Sequence, residues 1–263
     1  MFKKILMVVA SMCICQSANV YAAPNSKLVP FWNDFETSSL MKVDHSKWGT
    51  ILERYVDDKH PSGVNRFNYS AITKADKRSL ENYLDYLQQL EPRQYNLKQQ
   101  KAYWLNFFNA AVVNKILDSY PIDSSRGLGW GARSFEVVFQ KVSLNTIEHG
   151  ILRPIFKDPR ILFALNAGSL SSGNILKVPY TEDNTEQLLE QLTIDFVNHP
   201  RGVLVENGRL RASRIFQWYI DDFGGNKKAV RNYIRRYANE ELKAKIDRSK
   251  GLSYGYDWTL NEP

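Results

Sequence analysis

The chain has 263 residues, of which 43% are hydrophobic, and it carries a formal net charge of +7. A chain of this length and composition can bury a sizeable core, and its size is typical of a single domain. Its two cysteines, Cys13 and Cys15, both lie near the N-terminus, so the rest of the chain has no thiol for a disulfide, a thiolate metal site or a cysteine nucleophile.

The first 22 residues have the pattern of a secretory signal peptide. A pair of lysines at positions 3 and 4 precedes a short apolar run at 5–15, and Val20 and Ala22 place small side chains where a signal peptidase reads them. The apolar run is about half as long as a membrane-spanning helix, and no later stretch is long enough. We therefore expect cleavage between Ala22 and Ala23, a periplasmic or secreted location, and no transmembrane segment.

The rest of the chain is predicted to be a tether at 23–43 followed by one globular domain at 44–263. Apolar residues at helical spacing predict helices near 46–56 and 80–90, whereas 97–119 is apolar nearly all round, which indicates a helix buried on most sides. The next predicted elements are a strand at 135–142, a helix that Ser143 caps and that ends at 152, and a strand at 161–166. A helix at 185–198 and a hairpin at 203–211, with its turn at Asn207 and Gly208, come after them. The chain is then predicted to form helices at 213–223 and 227–244 and an extended end at 254–260.

These elements predict an α+β fold, a predominantly helical single domain around a buried central helix at 97–119. A small, mainly antiparallel sheet is expected from 135–142, 160–166 and the 203–211 hairpin. The sequence has no internal repeat and no low-complexity segment.

Most of the positive charge is concentrated near the C-terminus. Removal of the signal peptide would leave 33 basic against 28 acidic residues, and nine Lys or Arg against three acidic residues lie between 227 and 250. One interpretation is an amphipathic helix with a solvated cationic face, and the alternative is weak contact of 227–250 with an anionic surface or an acidic partner in the envelope. No nucleic-acid-binding module is recognisable, so no nucleic-acid partner is expected.

Five short motifs follow one another along the chain: KAYWLNFFNA at 101–110, SLNTIEH at 143–149 with Arg153, DPRILFALN at 158–166, SRIFQWYIDDF at 213–223 and YDWTLN at 256–261. In this order they resemble the motifs of the bacterial domain-of-unknown-function family 547. The chain departs from the family pattern where Leu162 replaces a usual histidine, Ala167 a usual cysteine, and Ser172 a second cysteine. The resemblance implies fold and location more than activity, since chemistry that used this cysteine and histidine would be absent here.

Two ionisable residues lie together in the helix after Ser143. With about 100° per residue, Glu148 falls in the middle of the apolar face, where a carboxylate needs a partner or belongs to a site. Arg160 is the expected ion-pair partner. His149 is expected to point about 100° away from Glu148, either as a surface histidine or, with its pKa lowered by Arg153, as a neutral base.

Serines and asparagines supply the remaining candidates. Three serines at 169, 171 and 172 lie in a Gly- and Ser-rich loop at 168–173, which is a plain turn, an anion cradle or the source of a nucleophile. Asn106 and Asn109 share a face of the central helix, where buried amides need hydrogen-bond partners.

Two functions from different classes are compatible with these residues. The first is an exported, non-catalytic binding or interaction protein for a small ligand or an envelope partner, with the ligand-binding candidates Asn106, Asn109, Arg153, Arg160 and Ser169. The alternative is a serine-dependent hydrolase or acyl transferase that uses the 168–173 loop, with the catalytic candidates His149, Glu148 and Ser172. No motif such as H-x-H or H-E-x-x-H occurs, so neither a metal nor a cofactor is expected.

Overall fold

The computed structural model describes residues 24–263. The predicted signal peptide at 1–22, with its cleavage point between Ala22 and Ala23, lies outside the described residues. No helix of the described chain is both long enough and apolar enough to cross a membrane.

Nine α-helices occur between residues 24 and 263: α1 Ser46–Tyr55, α2 Lys74–Gln89, α3 Leu97–Ser119, α4 Arg153–Phe156, α5 Ile161–Ala164, α6 Thr185–Asn198, α7 Ile215–Trp218, α8 Lys227–Tyr237 and α9 Glu240–Arg248. A π-helical stretch, Thr146–Leu152, leads into α4. The strands are β1 Val56–Asp57, β2 Arg66–Phe67, β3 Phe135–Val137, β4 Gln140–Val142, β5 Val203–Glu206, β6 Arg209–Ser213 and β7 Lys250–Gly255. The predominantly helical α+β fold is confirmed.

α3 is the buried central helix, and its bounds are the predicted ones. Asn96 caps its start, because the Asn96 side chain accepts a hydrogen bond of 3.0 Å from the backbone N–H of Gln99. Every side chain from 102 to 113 is buried, and α2, α6 and the π-helical stretch pack against the helix. α3 therefore forms the centre of the larger of two hydrophobic cores.

The strands of residues 24–263 form three small sheets rather than one. β1 pairs with β2 and β3 with β4, both antiparallel, while β5, β6 and β7 form a three-stranded sheet in which the β6–β7 pair is parallel. The mainly antiparallel character is confirmed. The predicted composition of the sheet is wrong, because the β5–β6 hairpin pairs with β7 and not with 135–142 or 160–166.

Residues 161–166 are not a strand, contrary to the prediction. The helix α5 occupies Ile161–Ala164, and the backbone becomes extended at Leu165. Asp158 starts the helical turn, since its side chain accepts a hydrogen bond of 3.0 Å from the backbone N–H of Arg160. A short apolar run has no period that separates a buried helix from a buried strand, which explains the error.

Three other predicted elements are interrupted. Residues 135–142 turn back on themselves between β3 and β4, and within 213–223 only α7 is α-helical. Residues 227–244 are divided between α8 and α9, because Asn239 caps α9 by accepting a hydrogen bond of 2.8 Å from the backbone N–H of Leu242. The helices near 46–56, 80–90 and 185–198 and the hairpin at 203–211 are confirmed.

Residues 24–43, which we call the N-terminal segment, pack against the domain instead of forming the predicted tether. Backbone hydrogen bonds of 2.9 and 3.0 Å run from Lys27 and Val29 to carbonyl oxygens of the π-helical stretch. Trp32 is 2% exposed and meets Trp104 of α3 edge to face, with 5.1 Å between ring centres. The tether prediction is wrong because the core buries this large apolar side chain.

A second, smaller hydrophobic core lies in the C-terminal half. It includes side chains of α6, β5, β6, α8 and α9. The short helix α5 contributes to both cores, with Ile161 and Ala164 in the larger core and Leu162 and Phe163 in the smaller one. α5 therefore lies at the junction of the two cores.

Candidate functional site

A cavity of about 280 Å³ lies where the two cores meet. Phe108 and Leu165 of the larger core and Leu162 and Ile215 of the smaller core face it. Its other wall residues are Pro24, Trp130, Asn145, Glu148, His149, Ala167, Ser172, Trp218, Tyr219, Tyr256 and Trp258. We call it the aromatic cavity, because tryptophan and tyrosine rings make up much of its wall.

The helix that carries Glu148 and His149 begins after Ser143, as predicted, and then becomes π-helical. The Ser143 hydroxyl accepts a hydrogen bond of 3.0 Å from the backbone N–H of Thr146. In a π-helix the hydrogen bonds join residues i and i+5, so side chains do not follow the angular step of an α-helix. Glu148 and His149 both line the aromatic cavity, and His149 is only 5% exposed. The prediction that His149 points away from Glu148 toward the surface is therefore wrong.

An arginine and a carboxylate hold His149 in place. Nη1 of Arg153 donates a hydrogen bond of 3.0 Å to Nδ1 of His149. The Arg153 guanidinium also forms a bidentate ion pair with Asp222, with 2.6 Å from Nε to Oδ2 and 3.2 Å from Nη2 to Oδ1. A guanidinium only donates hydrogen bonds, so Nδ1 is the acceptor and the neutral ring carries its proton on Nε2. Burial lowers the pKa of His149, Glu148 opposes this shift and Arg153 adds to it, so the neutral imidazole is favoured near pH 7.

Glu148 presents a carboxyl group to the cavity without a lysine or arginine partner among the described residues. Nε2 of His149 is 3.8 Å from Oε2 of Glu148, which is too long for a hydrogen bond. Burial, together with the neighbouring Glu148, holds the pKa of Tyr219 well above its usual range. Within residues 24–263, no group of three or more His, Cys, Asp or Glu side chains is placed to hold a metal ion.

Arg160, the expected partner of Glu148, lies elsewhere. Its guanidinium forms ion pairs with Asp158, Glu186 and Glu190 at 2.8, 2.7 and 3.1 Å. Hydrogen bonding to Asp158 raises the pKa of Arg160 above its usual value. The predicted ion pair between Glu148 and Arg160 is wrong, because the helical turn before α5 directs Arg160 toward α6 and away from the cavity.

The serines of the 168–173 loop use their hydroxyl groups within the protein. Ser172 lines the aromatic cavity, and its Oγ donates a hydrogen bond of 2.8 Å to the carbonyl of Ser169. The hydroxyls of Ser169 and Tyr256 share a hydrogen bond of 2.8 Å, and Ser171 accepts one of 2.9 Å from a backbone N–H. None of these serines is hydrogen-bonded to the ionisable residues of the π-helical stretch. The backbone N–H groups of 170–172 donate to carbonyl oxygens of the protein, so they are not free to cradle an anion.

Residues 92–197 match a family model described as "Protein of unknown function, DUF547". The resemblance to DUF547 is confirmed for this segment. The match contains the first three of the five motifs, which α3, the π-helical stretch and α5 carry. It ends before the motifs at 213–223 and 256–261, whose relation to the family stays a prediction. No curated protein and no solved structure matches the chain.

The departures from the DUF547 pattern converge on the aromatic cavity. Leu162 in α5 and Ala167 just beyond it both line the wall, together with Ser172. An apolar side chain therefore stands at each position where the resemblance leads us to expect a histidine or the first cysteine. The cavity wall has apolar groups in the place of two reactive ones.

Aromatic residues beyond the DUF547 segment form another part of the wall, and the sequence analysis did not select them as site residues. The rings of Trp218, Tyr256 and Trp258 pack as a group, with 4.6 to 5.6 Å between ring centres. Their presence in the two C-terminal motifs was the signal that could have identified them.

Asn106 and Asn109 lie outside the cavity wall and hold backbone groups. Nδ2 of Asn106 donates to the carbonyl of Tyr180 at 2.7 Å, and its Oδ1 accepts from the Tyr180 N–H at 3.0 Å. Asn109 donates to the carbonyl of Ala164 at 3.0 Å and accepts from the N–H of Asn166 at 2.8 Å. Neither asparagine therefore lines the cavity, and the nitrogen and the oxygen of each side-chain amide are both engaged with backbone groups.

Proposed function

We propose that the chain is an exported, non-catalytic binding protein whose ligand site is the aromatic cavity. The observation that supports this proposal is the composition of the cavity wall. Aromatic rings and the carboxyl group of Glu148, which forms no ion pair with a described lysine or arginine, line the same cavity. Leu162 and Ala167 support a role without catalysis, since they stand in the place of two reactive groups. The signal-peptide pattern at 1–22 supports export.

The wall favours a small organic cation as the ligand. The faces of the Trp218, Tyr256 and Trp258 rings carry negative charge density, and a cation over such a ring gains about 0.5–2 kcal/mol. Glu148 adds a carboxyl group that is 9% exposed and forms no ion pair with a described lysine or arginine. A buried carboxylate is costly unless a positive charge or hydrogen bonds compensate it, and a cationic ligand would supply the positive charge that no described lysine or arginine provides.

A serine-dependent hydrolase or acyl transferase has less support from the same contacts. A nucleophilic serine needs a base within hydrogen-bond reach, but the proton of the Ser172 hydroxyl is directed to the carbonyl of Ser169. Nδ1 of His149 already accepts from Arg153, and its Nε2 carries the proton. The imidazole therefore has no free lone pair with which to accept a proton from serine.

The binding proposal predicts that the purified protein binds choline and discriminates against 3,3-dimethyl-1-butanol, which has the same shape without the charge. A titration followed by tryptophan fluorescence should saturate with choline, and the neutral probe should bind at least about tenfold more weakly, or about 1.4 kcal/mol. Glu148→Gln should remove most of this preference. Glu81→Gln, at an exposed position of α2, is the matched control and should retain it. Equal affinity for the two probes, or no binding of either, would reject the cationic ligand.

A fluorophosphonate probe tests the catalytic alternative with the same protein. We expect no labelling of the folded wild type, because no serine of the 168–173 loop has an available base. Labelling that Ser172→Ala and His149→Ala both abolish would favour the hydrolase or acyl transferase and overturn the non-catalytic proposal.

A further inference from the structure

Tyr256 also borders a second cavity, of about 560 Å³. Three arginines line this second cavity, Arg66, Arg201 and Arg211, against a single carboxylate, that of Asp257. None of the three arginines forms an ion pair with any residue between 24 and 263, although other arginines of this part of the chain do. We call it the arginine cavity.

Arg201 is the most enclosed of these cations. Its Nη2 donates a hydrogen bond of 2.8 Å to the side chain of Asn174, and its guanidinium lies 5.3 Å from the ring centre of Phe196. Its Nε is buried and has no partner among the described residues. Burial lowers the pKa of Arg201 to about 10, Tyr256 opposes this shift, and the nearby Arg66 adds to it. The fold thus holds a guanidinium where its charge is not compensated.

Arg66 is also left with unused donors. One hydrogen bond of 3.3 Å joins its Nη2 to the hydroxyl of Ser62, while its Nε and Nη1 are buried without a described partner. Burial lowers the pKa of Arg66, and Asp257 and Asp57 oppose this shift from a distance. Two guanidinium groups that repel each other therefore share a cavity, and three of their buried nitrogen atoms lack an acceptor.

We propose that the arginine cavity binds a small tetrahedral oxyanion, a phosphate or sulfate group, between Arg66 and Arg201. A guanidinium offers a planar fork of N–H donors that matches the oxygens of such a group, and a pair of forks can bind it from two sides. Arg211 adds a third positive charge at the exposed side of the cavity. This site is separate from the aromatic cavity, so the proposal does not rest on the function proposed above.

The one carboxylate of the cavity does not neutralise the arginines. Oδ1 of Asp257 accepts a hydrogen bond of 2.9 Å from the backbone N–H of Thr259, and Asp257 forms no ion pair with Arg66 or Arg201. The cavity therefore keeps an excess of positive charge, three guanidinium groups to one carboxylate. Because the backbone N–H groups of 170–172 are occupied, the arginine side chains supply the donors for the anion.

Isothermal titration calorimetry of the purified protein with inorganic phosphate tests this site, with sodium chloride adjusted to hold ionic strength constant. We expect saturable binding, and Arg66→Gln and Arg201→Gln should each raise the dissociation constant at least tenfold. Arg66→Lys, which keeps the charge but loses the fork, should give an intermediate loss. Arg209→Gln, at an exposed position of the same strand as Arg211, should bind phosphate as the wild type does.

Two outcomes would overturn the proposal: no phosphate binding beyond the chloride baseline, or the same dissociation constant for wild type and Arg66→Gln. Should Arg201→Gln fail to fold, Arg66→Gln decides, because the Arg66 side chain is only partly buried and its loss leaves the core intact. Glycerol 3-phosphate, titrated in parallel, distinguishes the two sources of such a group. Tighter binding of the ester identifies a phosphate carried by a larger molecule, and equal binding identifies the free anion.

Discussion

At the scale of single residues, two asparagines on α3 act as hydrogen-bond partners for segments that lie outside any strand. Asn106 pairs with both backbone groups of Tyr180, and Asn109 bridges Ala164 and Asn166. Each amide therefore does for its segment what a neighbouring strand would do. Asn109 in particular fixes the chain just before Ala167, so an amide of the central helix positions part of the wall of the aromatic cavity.

Replacement of Asn106 by leucine should lower the free energy of unfolding by about 1–3 kcal/mol, because the N–H and carbonyl of Tyr180 would stay buried without partners. Chemical denaturation measures this change. Asn114→Leu, on the same helix, is the control. The Asn114 side chain makes one hydrogen bond, of 3.2 Å from its Nδ2 to the exposed Asp118, and its Oδ1 has no partner in the described chain, so this substitution should cost no more than about 0.5 kcal/mol. Equal losses for the two variants would contradict the role assigned to Asn106.

The sequence predicts that Asn106 and Asn109 share a helix face and need partners, but it does not identify those partners. The groups they bind lie 74 residues away in one case and 55 to 57 residues away in the other. Every residue has a backbone carbonyl and nearly every one a backbone N–H, so the sequence does not distinguish the groups that an asparagine binds. Only the folded chain shows which segment lies beside Asn106 or Asn109. The prediction that Arg160 pairs with Glu148 was wrong for a similar reason, because the sequence does not show which side chains the fold brings together.

At the scale of elements, helices with a clear period and a polar cap were predictable from the sequence. α3 and α6 have the predicted bounds, and Asn96 caps α3 as a short polar residue before an apolar run should. The prediction of a strand at 161–166 was wrong because most of these residues are buried. Such a run lacks the alternation of apolar and polar residues that would distinguish a strand from a helix.

The two hairpin turns show how far turn chemistry can be predicted. Asn207 and Gly208 both have a positive φ, and both are residues that tolerate this conformation. Val138 and Phe139 also have a positive φ, at 48° and 59°, although a β-branched or bulky residue rarely adopts it. Because Phe139 is 91% exposed, neither propensity nor hydrophobic pattern could place a turn there.

The candidate site was predictable in part. The sequence selected Glu148, His149 and Ser172, and all three line one cavity. It missed that Glu148 and His149 reach the cavity together, because the π-helical stretch changes the angle between consecutive side chains. The sequence also did not predict the aromatic part of the cavity wall. Trp218 and Trp258 lie far from α3 along the chain, and only the fold brings them to the aromatic cavity.

At the scale of the whole molecule, the chain has two hydrophobic cores that share α5. The larger core surrounds α3, and the smaller one joins α6 and α8 to the three-stranded sheet. The aromatic cavity takes wall residues from both cores. A ligand in it would therefore contact both halves of the molecule at once, and binding would stabilise the native state by an amount that grows with the logarithm of the ligand concentration once the site is saturated.

The stability of the whole molecule should depend on the protonation of His45. This residue is 6% exposed, its Nδ1 and the Tyr83 hydroxyl share a hydrogen bond of 2.6 Å, and burial lowers its pKa to about 4, with Asp44 opposing the shift. Unfolded histidine titrates near pH 6.5, so between pH 6.5 and 4 the unfolded chain binds a proton that the folded chain does not. Stability should therefore fall as the pH falls, by about 3 kcal/mol from this group.

Urea denaturation of wild type and His45→Gln at pH 7 and at pH 4.5 measures this contribution. Carboxyl groups titrate in the same range in both proteins, so the difference between the two pH dependences isolates His45. The variant should lose less stability on acidification than the wild type does. Parallel losses would show that His45 is not the group responsible.

The N-terminal segment has a practical consequence, because Pro24 is part of the wall of the aromatic cavity and its carbonyl accepts a hydrogen bond of 3.0 Å from Arg153. Pro24 is the first described residue, so the described chain begins in the wall of that cavity. An affinity tag joined directly ahead of Pro24 would therefore lie beside the cavity, whereas Pro263 is exposed and does not line it. If a peptidase cuts after Ala22, the new chain end lies one residue ahead of Pro24 and so beside this wall.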